Sequence, residues 1–78
     1  MVYCEYIKNT DKAVTYSYGQ TIYDMTGEVE YDFNNDILTI TKKPEKYSVV
    51  TRQIESLFRK HRDEFCNGKF REKIAFEA

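Results

Sequence analysis

The chain has 78 residues, of which 41% are hydrophobic, 15% aromatic and 32% charged, and its formal net charge at pH 7 is −1. A chain of this length has room for one hydrophobic core, so we expect a single domain over residues 1–78. The many aromatic residues, with three glycines and one proline, exclude a disordered chain. The near-zero net charge argues against a dedicated nucleic-acid-binding protein. The charge is uneven, because residues 1–40 contain two basic and seven acidic residues, whereas residues 41–78 contain ten and six.

Apolar and polar residues alternate along the first half of the chain, which is typical of half-buried antiparallel strands. The pattern predicts strands at residues 2–7, 13–18, 28–33 and 37–41. Residues 34–36 have the composition of a turn, because Asn and Asp tolerate a positive φ and bond their own backbone. Strands that follow one another with short turns indicate an antiparallel meander.

Residues 21–25 also contain strand-forming side chains, and Gly19 separates them from the strand before. Gly19 is therefore either a bulge in one long, bent strand or the turn between two short strands. The sequence leaves both alternatives open.

A single amphipathic helix is predicted after the strands, with Asn67 and Gly68 as its C-terminal stop. Its N-cap is Ser48, unless the helix starts earlier with Pro44 in its first turn, which the sequence also permits. Apolar residues in this segment recur at helical spacing and form one stripe toward the core. The stripe consists of Tyr47, Val50, Ile54, Leu57, Phe58, His61 and Phe65.

The fold class that follows is α+β, an antiparallel β-meander of four to five strands followed by one amphipathic helix packed on one face. Residues 74–76 are apolar, so they either add a short edge strand or form a loosely packed tail. We expect one strand face to form the core with the helix stripe. That face consists of Val14, Tyr16, Tyr18, Val29, Tyr31, Phe33, Leu38 and Ile40.

The candidate chemical groups are few. His61 is the only histidine and lies within the apolar stripe, which favours a core or rim position over a catalytic one. Cys4 and Cys66 lack the spacing of a metal motif, and two reduced thiols are favoured over one long-range disulfide. We find no glycine-rich phosphate loop. The sequence therefore predicts a non-enzymatic protein without catalytic residues, cofactor or metal.

The N-terminal residues lack the basic region and the apolar run of a signal peptide. No stretch approaches the roughly 20 apolar residues that span a bilayer. We therefore expect a cytoplasmic protein that has no membrane partner.

The main functional hypothesis is a protein-interaction or self-associating module, including a homodimer, with no small-molecule ligand. Four apolar residues are predicted on the sheet face opposite the core, where a contiguous patch marks an interface. They are Tyr3, Ile7, Ile22 and Ile37. An acidic row on the same face, which consists of Glu28, Glu30 and Asp32, completes the candidate protein interface.

The alternative hypothesis is nucleic-acid binding through the two basic segments that flank the helix. Such binding requires that the two segments approach each other in space, so that their charges contact phosphate together. The candidate residues are Lys42, Lys43 and Lys46 before the helix and Lys69, Arg71 and Lys73 after it.

Overall fold

A computed structural model describes residues 1–76, so the last two residues of the predicted domain lie outside the described residues. The strands are β1 Val2–Asn9, β2 Ala13–Gly19, β3 Gly27–Asp32, β4 Ile37–Lys42 and β5 Lys73–Phe76, and the helices are α1 Thr51–Lys60 and α2 Arg62–Cys66. The five strands form one antiparallel sheet with the order β4-β3-β2-β1-β5. The predicted α+β meander is confirmed, and its C-terminal apolar segment is an edge strand beside β1.

Neither alternative for Gly19 is correct, because Gly19 is the last residue of β2, paired with Tyr3, and no second strand follows it before β3. The strand that the sequence predicts at residues 21–25 is wrong, because residues 20–26 form a loop, which we call the β2–β3 loop. This loop folds back so closely that a Cβ atom at Gly19 would overlap the Asp24 carbonyl oxygen. Glycine is therefore required by the close approach of two backbone segments.

The helix begins later in the structure than the sequence predicts. Its first residue is Thr51, and Ser48 is not its N-cap. Before the helix, the Asp24 carboxylate accepts hydrogen bonds from the backbone amides of Lys46 and Tyr47, and the backbone is still extended at Val50. Tyr47 and the N-cap residue Val50 are consequently exposed and do not belong to the core stripe.

The predicted single helix is also divided at His61, whose backbone leaves the helical conformation. The His61 amide donates to the Phe58 carbonyl oxygen, a tighter turn than that of an α-helix. Immediately after the break, Arg62 donates from its guanidinium to the carbonyl oxygens of Phe33 and Asn34. These bonds tie the short helix α2 to the β3–β4 turn. The predicted C-terminal stop is confirmed, because Gly68 has a φ of 76° directly after α2.

The core lies between the sheet and the helices and is mainly aromatic. Phe58 makes edge-to-face contacts with Tyr16 and Tyr31, with ring centroids 5.4 and 5.5 Å apart. Burial raises the pKa of the Tyr16 hydroxyl to about 12, and that hydroxyl donates to the Arg71 carbonyl oxygen at 2.6 Å. The predicted core faces of β2 and β3 are confirmed, and Leu38 and Ile40 of β4 pack at the margin of the core.

Candidate functional site

The β2–β3 loop is anchored by a buried carboxylate. The Asp24 residue is 3% exposed and accepts a hydrogen bond from the Thr26 hydroxyl at 2.7 Å. Its second oxygen accepts from the amides of Lys46 and Tyr47, both at 3.0 Å. These bonds, the Thr26 hydroxyl first, lower the pKa of Asp24. The loop is therefore fixed to the segment that leads into α1.

The tip of this anchored loop is apolar and exposed. Ile22 is 63% exposed and Tyr23 is 89% exposed, the highest value among the large hydrophobic residues. Tyr23 and Tyr47 line a shallow cavity of about 240 Å³, with Asp24 at its base. Large apolar side chains held outward on a fixed loop are typical of a contact surface.

A second cavity, of about 340 Å³, opens on the sheet face opposite the helices, between the β2–β3 loop and the β1–β5 pair. We call it the outer cleft. Its apolar lining includes Tyr3, Ile22, Met25 and Ala75, and the charged side chains at its margin are Glu5 and Lys73. The structure thus brings together two of the four predicted apolar interface residues, Tyr3 and Ile22.

The other two predicted apolar residues lie elsewhere. Tyr3 pairs with Gly19 of β2, whereas Ile37 pairs with Asp32, which in turn pairs with Ala13 of β2. Gly19 and Ala13 are six residues apart along β2. At the rise of a strand this is about 20 Å. Ile7 lies at an irregularity of β1, where the register shifts between Tyr6 and Lys8. The four residues therefore do not form one contiguous patch, although Ile7 and Ile37 are individually exposed.

The acidic row of β3 is bordered by basic and hydroxyl residues. Glu28 lies opposite Lys42 on one side and Ser17 on the other, and the same row continues to Glu5 and Lys73. The two acids of this row thus lie between two lysines, which leaves no uniformly acidic surface.

The remaining acids of the row differ from each other in their role. Glu30 is exposed between Thr39 and Thr15. Asp32 accepts hydrogen bonds from the amides of Asn34 and Asn35, and these contacts, with the Asn35 side chain first, lower its pKa. Asp32 therefore stabilises the β3–β4 turn.

The two basic segments lie at opposite edges of the sheet. Lys42 ends β4 and Lys73 begins β5, and four strand spacings, about 19 Å, separate these edge strands. Lys43 and Lys46 line a cavity beside β4, on the side away from Lys69 and Arg71. The Arg71 guanidinium makes two hydrogen bonds to Glu64, at 2.9 and 3.1 Å. The structure does not bring the six basic residues into one patch.

Of the histidine and the two cysteines, Cys4 lines the outer cleft, whereas His61 and Cys66 do not. His61 is partly buried, and its Nδ1 lies 2.9 Å from the Glu64 carboxylate. Both cysteines are free, and burial raises the pKa of the Cys4 thiol to about 12, so it remains protonated at neutral pH. Within residues 1–76, no three His, Cys, Asp or Glu side chains are grouped so that they could hold a metal ion.

Comparison with protein families, curated proteins and solved structures finds no significant match to this chain. In the part of the chain that the structure describes, neither helix has the length and apolar character needed to cross a membrane.

Sequence reasoning missed Tyr23, Met25 and the anchoring role of Asp24. It interpreted residues 21–25 as a strand because apolar residues surround the aspartate there. The available signal was Asp24 itself, since a carboxylate inside a short apolar segment requires hydrogen-bond donors when it is buried.

Proposed function

We propose that this protein is a protein-interaction module that binds its partner through the β2–β3 loop tip and the outer cleft. The observation that carries the proposal is the exposure of Ile22 and Tyr23 on a loop that a buried Asp24 fixes in place. A fixed loop loses little conformational entropy on binding, and tyrosine offers a large contact area with only two rotatable bonds. Residues of this kind supply much of the binding energy at protein interfaces.

The dimensions of the outer cleft fit side chains of a partner. Its volume of about 340 Å³ is near the lower end of small-molecule sites, which are about 300–1,000 Å³. The apolar lining favours an aliphatic or aromatic anchor. At the margin of the cleft, the Glu5 carboxylate can accept hydrogen bonds and the Lys73 ammonium can donate them. Donors and acceptors that surround the anchor on the partner would therefore both find a bonding group in this chain.

The experiment uses a tagged chain of residues 1–78 to capture proteins from an extract of the source cells, and it measures the amount of each captured protein. The test variant is Ile22→Ser with Tyr23→Ser, and the control is Ile7→Ser, which removes an exposed apolar residue away from the loop and from β4. We expect partners that the wild type and the control retain and that the test variant loses. Equal capture by all three proteins would contradict the proposal.

The alternative of nucleic-acid binding has weaker support, because its two basic segments lie at opposite edges of the sheet. Titration of DNA and RNA, single-stranded and duplex, at low salt separates the two hypotheses. Binding that weakens steeply with salt and with Lys43→Ala and Lys69→Ala supports the alternative.

A further inference from the structure

The edge of the sheet at β4 is open. Phe33 donates its amide to the Lys12 carbonyl oxygen of the β1–β2 turn, at 3.1 Å, in line with the β2–β3 ladder. Backbone N–H and C=O groups alternate in direction along a strand. Those of Tyr31 therefore also point toward β2, whereas those of Asp32 and Glu30 point toward β4.

The direction of the β4 backbone follows from that of β3. Ile37 and Thr39 lie opposite Asp32 and Glu30 and point their backbone groups back toward β3. Leu38 and Ile40 therefore point their amides and carbonyls outward, and among residues 1–76 no protein group pairs with them. Two donors and two acceptors are thus available at this edge.

The side chains do not protect this edge. Residues 37–41 contain two isoleucines, one leucine and two threonines, with no charge and no proline. The charge of Lys42 and the irregular pairing with β3 between Ile40 and Lys42 are confined to the end of β4, so the unprotected part of the edge is residues 37–40. Natural proteins usually protect an edge with a charge, a proline or a very short strand. The opposite edge has such protection, since β5 has four residues and begins with Lys73.

We infer that β4 pairs with β4 of a second copy of this chain, antiparallel and with Thr39 on the two-fold axis. In this register Leu38 of each copy faces Ile40 of the other, and their outward backbone groups form four hydrogen bonds. Ile37, which is 56% exposed in the single chain, faces the partner's Thr41.

Side-chain chemistry favours this self-pairing. The Leu38–Ile40 contacts lie on the helix side of the sheet and extend the margin of the core, where both residues are only partly buried. This surface is distinct from the outer cleft, and the inference does not depend on the proposed function.

The contact is confined to about six residues in each copy, fewer than the roughly 20–30 residues per side of a standard interface. We therefore expect a reversible dimer whose fraction rises with protein concentration. Sedimentation equilibrium over a concentration series measures it, with thermal denaturation as the check that each variant is folded.

The test uses the residue on the two-fold axis, because any charge placed there faces its own copy. Thr39→Lys alone and Thr39→Glu alone are each expected to weaken the dimer at least tenfold, and an equimolar mixture is expected to restore it. Thr39 is exposed, so both variants should fold. A wild type that remains monomeric, or a mixture that dimerises no better than its components, overturns the inference.

A cross-link tests the register independently. Directly opposed residues of a non-hydrogen-bonded pair have Cα atoms about 4.5 Å apart, within the range of a disulfide. In a Cys66→Ser background, Thr39→Cys is expected to form a covalent dimer on mild oxidation, whereas Thr41→Cys, which faces Ile37 of the partner, is not. Equal cross-linking of the two variants contradicts the proposed register.

Discussion

The two faces of the sheet differ in how completely their groups find partners within the chain. On the face that the helices cover, Phe58 is fully buried against Tyr16 and Tyr31. The Tyr31 hydroxyl donates to the Asp36 carboxylate at 2.6 Å. Among the described residues that are not exposed, every fully buried side-chain nitrogen or oxygen has a hydrogen-bond partner. This face is complete as it stands.

The opposite face and the β2–β3 loop are not complete in this sense. Ile22 and Tyr23 remain exposed, and the outer cleft remains open beside Tyr3. Asp24 stabilises this arrangement through hydrogen bonds to Lys46 and Tyr47. The difference shows that the covered face supplies the buried apolar surface that stabilises the fold, whereas the loop tip leaves apolar surface exposed.

The largest expected effect is a loss of stability when the covered face of the sheet is disturbed. Phe58→Ala removes a buried ring from the centre of the aromatic cluster, and we expect it to lower the free energy of unfolding by about 3–5 kcal/mol. A domain of this size has a total stability of roughly 5–10 kcal/mol. Urea denaturation followed by circular dichroism measures the change.

The matched control on the open face is Glu30→Ala, because Glu30 is exposed and forms no ion pair with another residue in the range 1–76. Its expected effect is within about 0.5 kcal/mol. Similar losses for Phe58→Ala and Glu30→Ala would show that the open face also contributes to the packing that stabilises the fold.

The second prediction concerns the anchor of the loop. Asp24→Ala leaves the amides of Lys46 and Tyr47 without their acceptor, and we expect the Tm to fall by about 5–10 °C. Thermal denaturation at pH 7 measures the shift. Thr26→Val removes one of the three hydrogen bonds to the carboxylate and the bond that the exposed Glu45 amide donates to the Thr26 hydroxyl. It leaves both backbone amides bonded to Asp24, so it should give a smaller decrease.

The Asp24 carboxylate should also make the stability of the fold depend on pH. The pKa of Asp24 is lower in the folded chain than its unfolded value of about 3.9, so the folded state favours the charged form. The stabilisation is complete above the unfolded pKa and is lost as the pH falls through the folded pKa. Stability should therefore decline below about pH 4, and Asp24→Ala should decline less steeply. An identical pH profile for both proteins would contradict this role of Asp24.

The parts of the fold that the sequence predicted are those that depend on local patterns. Alternation in residues 28–33 was sufficient to assign the buried face of β3, because a strand with one buried face repeats every two residues. The turn at residues 34–36 was likewise recognisable, and Asp36 has the expected positive φ of 57°.

The errors arose where distant residues determine local structure. The Asp24 carboxylate accepts hydrogen bonds from Lys46 and Tyr47, more than 20 residues later, in a segment where Tyr47 lies outside the helix and is exposed. Helical periodicity contains no information about this contact. The outer cleft depends on the same long-range folding of the loop, and for that reason only Tyr3 and Ile22 of the predicted interface lie together.

The smallest expected effect on stability is at the loop tip. Tyr23 is 89% exposed and its side chain contributes nothing to the core, so Tyr23→Ser should change the free energy of unfolding by less than about 0.5 kcal/mol. The same substitution should weaken partner capture, because interface tyrosines commonly contribute about 2 kcal/mol or more when they are central to the contact. Denaturation and capture must therefore be measured on the same preparation. A variant that loses stability but keeps its partners would place Tyr23 with the covered face, as a structural residue.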